Sequence, residues 1–406
     1  MSNCRIVKGG VASAKGFRAA GVPAAIRRSA RNDVALVVAD RPCAFAGAFT
    51  TNQVAAAPVV YDRTVAKRGR AQAIFANSGF ANACTGEVGR CDVEATVKAV
   101  AARLGIADRD VLVASTGVIG RPLPMDRILA GVDLAATALS AGDEAGHAAS
   151  LAIMTTDTKP KEACCLTKIG GKTVTVGGMA KGSGMIEPNM ATMLGFITTD
   201  AAISPAMLKR AMKLALSRSF NRVVVDGDES TNDSLFVLAS GLAGNAIITR
   251  AGEDFDLFVE ALSTVAVSLA RQMAADGEGA TKFVTVRVTG AKTAKDAERA
   301  ARAIARSPLA KTSWFGKDPN WGRVLAAVGY SGAAVEDMKA EVYYDRVWAF
   351  RRGTVANERQ LKLLAKVMDK PEFTVTANLN LGSGEATIYT CDFSLDYVHI
   401  NADYTT

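Results

Sequence analysis

The sequence has little histidine and no closely paired cysteine motif. Only two histidines, His147 and His399, occur in 406 residues, so a metal centre built on histidine ligands is not expected. The seven cysteines are an odd number without a C-x-x-C pair, which is typical of reduced thiols rather than of a disulfide framework. We therefore expect a cytoplasmic protein with no bound metal.

Long apolar runs and basic runs are absent as well. No stretch of about eighteen apolar residues occurs, and the first ten residues lack the apolar core of a signal peptide, so we expect no membrane partner. The formal charge of +8 is spread along the chain and is not interleaved with aromatic residues. This pattern disfavours nucleic-acid binding. It fits either an ordinary basic surface or a mild attraction for anionic metabolites.

Short apolar runs alternate with amphipathic stretches throughout the chain, which indicates the α/β class. The predicted strands are residues 34–39, 71–76, 111–115, 283–288, 373–378 and 386–391. The predicted helices are residues 93–104, 126–139, 205–218 and 255–274, with Ser204 as the N-cap of the third. Residues 164–168 and 172–176 flank Gly170-Gly171 and predict a hairpin.

One segment, residues 177–189, fits neither a strand nor a helix, because it is rich in glycine and contains Pro188. Shortly after it comes Thr192, which opens an apolar run predicted to be a buried strand. A hydroxyl at the mouth of a buried strand, approached by a flexible loop, suits a nucleophile. Glycine loops that lead into strands are also common in purely structural settings.

A nucleophile needs a base, and the chain offers few histidines for that role. Breakage of the peptide bond between Ala191 and Thr192 would place a new α-amine beside the Thr192 hydroxyl. The reference pKa of such an amine is about 7.7–8.0, so it can accept the hydroxyl proton near neutral pH. The Thr192 hydroxyl could make this cut itself by attacking the Ala191 carbonyl.

The run from Lys181 to Thr199, KGSGMIEPNMATMLGFITT, closely resembles the cleavage segment of the ornithine acetyltransferase family, which is cut between the alanine and the threonine of MATML. Five other segments resemble motifs of the same family in the same order. They are residues 15–21, 114–120, 276–282, 318–323 and 400–406. The resemblance therefore covers essentially the whole chain.

The resemblance implies an α/β fold of two stacked β-sheets sandwiched by helices, similar to N-terminal-nucleophile hydrolases. It implies self-cleavage into an α chain, residues 1–191, and a β chain, residues 192–406, which associate as a heterotetramer of two of each. Thr192 would be the nucleophile. Thr116 and Gly117 would form the oxyanion hole.

The residues that match substrate-binding positions of the family are Thr155, Lys181, Thr192, Glu278, Asn401 and Thr406. Lys181 can meet a substrate carboxylate and Glu278 its ammonium group, which suits a zwitterionic amino acid. Without the motif, a lysine or a glutamate at such a position would be read as an ordinary surface residue.

The implied activity is transfer of an acetyl group from N2-acetylornithine to glutamate in the cyclic pathway of arginine biosynthesis. It would follow a ping-pong mechanism through an acetyl-Thr192 ester. No cofactor is expected, and the sequence leaves open whether acetyl-CoA is an alternative donor. Three other interpretations stay open: a self-processed amidase or aminopeptidase, an uncleaved binding protein, and an acetyltransferase of the same family in a secondary-metabolite pathway.

Two further motifs resemble ligand sites without meeting their requirements. The acidic segment 226–233 lacks the ligand spacing of an EF-hand loop and is predicted to be a strand end and turn. The sequence Gly170-Gly171-Lys172-Thr173 ends like a phosphate-binding loop, but Leu166 stands where the earlier glycine is required. Neither segment predicts a metal ion or a nucleotide.

Overall fold

The computed structural model describes residues 4–27, 31–187 and 193–403. The chain forms two compact units. The first contains Met1–Asn221 and Asp228–Met273, and the second contains Arg222–Gly227 and Ala274–Thr405. The predicted cleavage point between residues 191 and 192 falls within the first unit, so the two predicted fragments are not the same as the two units. The division into fragments stays a prediction about the covalent chain.

The described part of the first unit contains a nine-stranded sheet in the order β1-β6-β7-β8-β9-β3-β4-β5, with β2 paired to β3. The β4–β5 and β8–β9 pairs are parallel, and the other pairs are antiparallel. The strands are β1 Arg5–Val7, β2 Phe17–Val22, β3 Val34–Phe49, β4 Arg70–Phe80, β5 Val111–Val118, β6 Lys161–Ile169, β7 Lys172–Lys181, β8 Leu194–Thr199 and β9 Ser234–Ala239.

The predicted strands and hairpin of this region are confirmed. Residues 34–39, 71–76 and 111–115 lie within β3, β4 and β5, where nearly all of them are buried. The predicted hairpin is the antiparallel pair β6–β7, which closes with Ile169 opposite Lys172. Gly170 and Gly171 have φ angles of 54° and 75°. Two successive positive φ angles are what a tight two-residue hairpin turn requires.

The prediction of an irregular loop from residue 177 is wrong for residues 177–181, which continue β7. Glycine at these positions allows backbone atoms of neighbouring segments to pack closely against β7. A Cβ atom on Gly177 would lie 2.1 Å from the Gly10 carbonyl oxygen, and one on Gly178 would lie 3.2 Å from the Phe196 carbonyl oxygen. A strand with glycine at these positions allows neighbouring backbone to approach closely.

The helices of the first unit are α1 Ala57–Arg68, α2 Gly86–Leu104, α3 Met125–Thr137, α4 Asp143–Ala152, α5 Pro205–Arg218 and α6 Glu253–Ala275, with short 3₁₀ turns at Asp108–Asp110 and Phe220–Arg222. Helix α5 has the predicted bounds, because Pro205 opens it and the Ser204 side chain accepts the Met207 N–H. The other three helices predicted from the sequence correspond to α2, α3 and α6. The end of α2 is as predicted, and the remaining ends are shifted by one to seven residues.

Helix α6 is long and apolar enough, by length and composition alone, to cross a membrane, with a mean hydropathy of 1.2. However, 61% of that stretch is buried inside the protein. Phe258, Leu262 and Leu269 are among its fully buried side chains. These features are typical of a core helix. The expected lack of a membrane partner stays a prediction.

The centre of the first sheet is buried on both faces, which fixes the position of β8. All six residues of β8 are buried, and the Phe196 ring of β8 stacks on Phe236 of β9 at 5.4 Å between centroids. Full burial of a large apolar side chain contributes about 1.5–3 kcal/mol relative to exposure. The start of β8, directly after residues 191–193, is therefore held by packing along the whole strand.

The described part of the second unit contains a six-stranded sheet in the order β13-β12-β11-β14-β10-β15. The strands are β10 Phe283–Ala291, β11 Glu341–Tyr344, β12 Val347–Arg351, β13 Thr354–Val355, β14 Glu372–Asn378 and β15 Gly384–Cys391. The helices are α7 Ala294–Arg306, α8 Pro308–Phe315, α9 Trp321–Tyr330, α10 Glu358–Met368 and α11 Leu395–Asp403.

The three strands predicted in this unit correspond to β10, β14 and β15. Alternating residues of β10 and β14 are buried, and α7 turns a face of small residues and Ile304 into the same core. The predicted mixed α/β class with two sheets is confirmed. The stacking of the sheets and the likeness to N-terminal-nucleophile hydrolases stay predictions.

Candidate active site

The predicted oxyanion pair lies at the carboxyl end of β5, beside the end of the parallel strand β4. Thr116 pairs with Ser78 and Gly117 with Gly79. Thr116 is buried, and Gly117 has a φ angle of 131°. A Cβ atom on Gly117 would lie 2.3 Å from the Gly79 carbonyl carbon. Only glycine fits at this position, because both the backbone angle and the space exclude a side chain.

Lys181 connects this strand end to the segment that follows the predicted cleavage point. It is the last residue of β7, where it pairs with Leu194, the first residue of β8. Its side chain is buried, and its Nζ donates to Thr116 Oγ1 at 3.3 Å. The structure thus brings two predicted site residues together at the end of β7 that adjoins the start of β8.

A buried ion pair lies next to Lys181. Asp157 Oδ1 accepts from Lys161 Nζ at 2.6 Å and from the Gly182 N–H at 2.8 Å. Both side chains of the ion pair are almost completely inaccessible to solvent. Burial would raise the pKa of Asp157, but the charges of Lys181 and Lys161 outweigh burial and lower the pKa to about 2. Asp157 is therefore a carboxylate that fixes the backbone after Lys181.

Thr155 is held by the same carboxylate. Its N–H donates to Asp157 Oδ2 at 3.0 Å. The Arg27 guanidinium donates to the carbonyl oxygens of Met154 and Thr155, at 2.8 Å and 3.3 Å. Half-buried Thr155 is therefore linked through Asp157 to the buried groups beside Lys181 and Thr116 in the first unit.

A second buried carboxyl group, Asp233, lies just before β9. Its Oδ1 accepts the Met193 N–H at 2.8 Å, and the side chain is fully buried. Within the part of the chain that the structure describes, its Oδ2 has no hydrogen-bond partner. Burial raises the pKa of Asp233 well above its usual value, and this effect outweighs the Met193 bond and the Lys181 charge. Burial therefore favours the protonated, neutral form of Asp233.

Glu278 and Asn401 belong to the second unit and contact each other. Glu278 is buried, and its Oε2 accepts from Asn401 Nδ2 at 2.9 Å. Asn401 lies in α11, near the C-terminus of the chain. Gly279 allows the start of this helix to approach, because a Cβ atom there would lie 2.4 Å from the Tyr397 nitrogen. The C-terminal helix is thus tied to the Glu278 segment.

Three predicted site residues, Ala191, Thr192 and Thr406, lie outside the described residues. Their roles stay predictions. Met193 and Leu194 are the first described residues after the predicted cleavage point. The geometry that bears on the nucleophile is therefore that of its neighbours in sequence and in the sheet.

A sequence profile of the ArgJ family matches residues 18–406. The chain is 51% identical over 401 residues to the arginine biosynthesis bifunctional protein ArgJ of Symbiobacterium thermophilum, covering 98% of this chain and 99% of that one. Its identity to the protein of the same name from Geobacter sulfurreducens is 49%, over 97% and 99% of the two chains. The chain belongs to the ArgJ family.

A crystal structure of the arginine biosynthesis bifunctional protein ArgJ from Bacillus halodurans is also similar, with 38% identity and a TM-score of 0.50. The match covers 52% of this chain and 98% of that one. The resemblance predicted from the sequence motifs is confirmed as membership of the ArgJ family. The motifs that carried it run from near the N-terminus to the C-terminus, as the family match does.

The sequence does not predict three buried polar residues that contact this region: Asp157, Lys161 and Asp233. The two aspartates and the lysine occur in ordinary polar contexts, and charged residues of this kind are usually exposed. The one local signal near Asp233 is the acidic segment 226–233, for which the sequence predicts a strand end and turn. The segment is irregular throughout and leads into β9, so the predicted strand end is not found there.

No group of three or more histidine, cysteine, aspartate or glutamate side chains that could hold a metal ion occurs among the described residues. The expected absence of a metal stays a prediction. All seven cysteines are among the described residues and are free thiols, as the lack of paired motifs indicated.

Proposed function

We propose that this chain cuts itself between Ala191 and Thr192 and then transfers an acetyl group from N2-acetylornithine to glutamate through an ester on Thr192. Membership of the ArgJ family confirms the predicted class of enzyme, one of arginine biosynthesis. The observation that carries the proposal is the position of Lys181. Its backbone pairs with Leu194, two residues after Thr192, and its ammonium group contacts Thr116.

The contact between Lys181 and Thr116 supports an oxyanion site. Because the Thr116 hydroxyl oxygen accepts a hydrogen bond from Lys181, the hydroxyl proton is available for another acceptor. A tetrahedral intermediate on the acetyl carbonyl supplies that acceptor as a negatively charged oxygen. Loss of one such donor costs about 2.7–4 kcal/mol in other acyl-transfer enzymes. We propose that Gly117 supplies a backbone donor at the same place.

Self-cleavage would follow ordinary acyl chemistry. The Thr192 hydroxyl oxygen bonds to the Ala191 carbonyl carbon, the peptide C–N bond breaks, and the α-amine receives the proton. Water then hydrolyses the ester, which leaves a carboxylate on Ala191 and restores the hydroxyl. The solved ArgJ chain from Bacillus halodurans is about half as long as this one, as a product of such a cut would be.

In each turnover the Thr192 amine would accept the hydroxyl proton, and the oxygen would attack the acetyl carbonyl of N2-acetylornithine. Ornithine leaves with that proton, and glutamate then takes the acetyl group from the ester. Both substrates are α-amino acids, so one set of contacts can serve both. We propose that Lys181 and Thr155 bind the carboxylate portion, and that Glu278, Asn401 and Thr406 bind the amino portion.

The sheet supports an association of the two fragments. Strands β8 and β9 belong to fragment 192–406, and they lie between β7 and β3 of fragment 1–191. A cut at residue 191 would leave all of these strand pairs intact. We propose that the fragments stay together in the cytoplasm as a heterotetramer of two α and two β chains.

No cofactor is needed when N2-acetylornithine supplies the acetyl group. The relatives carry the word bifunctional in their names. We therefore propose a second activity for this chain, with acetyl-CoA as the alternative acetyl donor. A self-processed amidase that uses water is the competing function. It predicts ornithine release that does not depend on glutamate.

The substitution Thr192→Ala tests the proposal. The variant should run as one full-length band on a denaturing gel and should transfer no acetyl group, whereas wild-type protein should give two fragments, one beginning Thr-Met-Leu-Gly. Thr198→Ala is the matched control, because that buried hydroxyl of the same strand bonds to the Val11 carbonyl and should not affect cleavage. Normal acetyl transfer by Thr192→Ala would overturn the assignment of the nucleophile.

A further inference from the structure

The segment 230–233, Ser-Thr-Asn-Asp, contacts both halves of the proposed site. All four side chains are buried, at 7% exposure or less. The segment leads into β9, which is the parallel neighbour of β8. Burial of four consecutive polar side chains is costly unless their polar groups are used. Their hydrogen bonds therefore indicate what the segment does.

Asn232 binds the strand that carries the oxyanion pair. Its Nδ2 donates to the Ser115 carbonyl at 2.8 Å and to the Ala81 carbonyl at 2.6 Å. Its Oδ1 accepts from the Thr231 hydroxyl at 2.6 Å. The Ser115 carbonyl and the Thr116 N–H belong to one planar peptide group. Fixing that carbonyl therefore fixes the peptide plane that leads into Thr116, the residue that carries the proposed hydroxyl donor.

Asp233 binds the residue that follows the proposed nucleophile. Its Oδ1 accepts the Met193 N–H at 2.8 Å, and the next residue, Ser234, donates its N–H to the Met193 carbonyl at 3.0 Å. Both backbone polar groups of Met193 are thus held by two consecutive residues. The Thr50 N–H in turn donates to the Asp233 carbonyl at 3.0 Å, which anchors the segment to the end of β3.

We propose that Asn232 and Asp233 are positioning residues that hold the oxyanion pair Thr116-Gly117 and the residue after Thr192 in a fixed register, a role that rests on the proposed function. These two adjacent side chains bind the strand that carries the oxyanion pair and the residue that follows the nucleophile. A shift of either part by about 1 Å can cost about 100-fold in rate. The expected consequence of losing either side chain is a lower kcat with little change in KM.

The protonation of Asp233 suits this position. The charged side chains that influence it are Lys181, which favours the carboxylate, and Glu229, which opposes it. Burial is the largest influence and favours the neutral acid. A carboxylate close to the Thr192 amine would stabilise the ammonium form and weaken the amine as a base. A neutral acid can accept the Met193 N–H without that effect.

The test uses the full-length protein with Asn232→Ala, Asp233→Ala and Asp233→Asn. Asp233→Asn keeps one acceptor and one donor in the same space, so it should cleave and retain kcat within about fivefold. Asn232→Ala and Asp233→Ala should slow cleavage and lower kcat about 10- to 100-fold, with KM for N2-acetylornithine changed less than about threefold. Cleavage is followed by intact mass and kcat is measured on the cleaved fraction.

Asp200→Ala is the matched control. Asp200 is also fully buried, follows the other end of β8, and accepts the Thr175 N–H at 2.8 Å. Its loss should lower stability without changing the extent of cleavage or kcat. If Asn232→Ala fails to fold, Asn232→Asp provides the second test, because it keeps the size but replaces the donor with an acceptor.

Full cleavage and normal kcat in Asn232→Ala or Asp233→Ala would overturn the proposal, as would an equal loss of kcat in Asp200→Ala. If Asp233→Asn lowers cleavage and kcat as much as Asp233→Ala does, the ionisable carboxyl group itself is required. That result would contradict the role of Asp233 as a neutral hydrogen-bond acceptor. These results differ from a failure of the proposed function. That failure would appear as an active Thr192→Ala variant, whatever the substitutions at residues 232 and 233 do.

Discussion

Asp157 and Asp233 are both fully buried carboxyl groups of the first unit, yet their surroundings shift their pKa values in opposite directions. Asp157 receives a lysine ammonium and two backbone N–H groups, and its pKa falls to about 2. Asp233 receives one backbone N–H, and its pKa rises well above the usual value. Burial alone therefore does not set the charge of an acidic side chain. The number of donors and cations around it does.

The difference matches the proposed roles of the two regions. The Asp157 region holds Lys181 beside Thr116, and a fixed negative charge stabilises two buried lysines there. The Asp233 region binds Met193, the residue that follows the proposed nucleophile in the sequence, and a negative charge near the nucleophilic amine would favour its protonated form. Three measurements test this difference between the two aspartates. Each is best made in the Thr192→Ala background, so that every protein is a single chain.

The largest effect is expected from Asp157→Ala. Removal of one partner of a buried ion pair leaves the other charge unpaired and costs about 3–5 kcal/mol. Asp233→Ala leaves only the Met193 N–H without its acceptor, which costs about 1–3 kcal/mol. The free energy of unfolding of the first unit should therefore fall more for Asp157→Ala than for Asp233→Ala.

The measurement must report on the first unit, which contains both aspartates. Tryptophan fluorescence does not, because all three tryptophans, Trp314, Trp321 and Trp348, lie in the second unit. Hydrogen exchange of the β7 and β8 amides reports on the first unit. Asp369→Ala, which removes the exposed partner of Lys317, is the control and should leave this exchange unchanged. Equal losses for the two buried aspartates would contradict the opposite shifts of their pKa values.

An intermediate effect is expected from acid. The pKa of Asp157 in the folded protein, about 2, lies below its unfolded value of about 3.9, so its contribution is fully present above pH 4 and is lost as the pH falls toward 2. A carboxyl group with these values contributes about 2–3 kcal/mol at neutral pH.

The stability difference between the parent and Asp157→Asn, measured by exchange in β7 and β8, should shrink over this acid range. Asp200→Asn serves as the buried control. A difference that stays constant from pH 5 to pH 2 would show that Asp157 is not the ionised partner of Lys161.

The sequence predicted one of these two regions far better than the other. Thr116, Gly117 and Lys181 lie in long motifs at strand ends, and the buried runs of β5 and β8 mark where those ends fall. Asp157 could not be predicted, because its pairing with Lys161 depends on burial created by distant strands. The role of Asp233 depends on β8 and β9 being parallel neighbours. No local pattern encodes that pairing, although the acidic segment itself was visible.

Gly177 and Gly178 also show that local sequence does not determine how a residue is used in the fold. Their sequence context suggests a flexible loop, because glycine permits unusual backbone angles. The structure uses them for close contact with Gly10 and Phe196 within a regular strand. The local sequence shows where glycine occurs. It does not show whether glycine is needed for a turn or for close contact with a neighbouring strand.

The smallest effect is expected on the alkaline side, and it concerns Asp233. Its folded pKa lies above its unfolded value, so its contribution to stability is fully present below about pH 4 and is lost progressively as the pH rises toward the folded pKa. On ionisation the carboxylate would keep the Met193 N–H and the attraction of Lys181, opposed by Glu229, which limits the loss. Asp233→Asn cannot ionise. Its free energy of unfolding should therefore change less with pH than that of the parent between pH 5 and pH 8, as measured by hydrogen exchange in β8. If the two proteins instead show the same dependence on pH, Asp233 is already a carboxylate in this range, and the contrast with Asp157 does not exist.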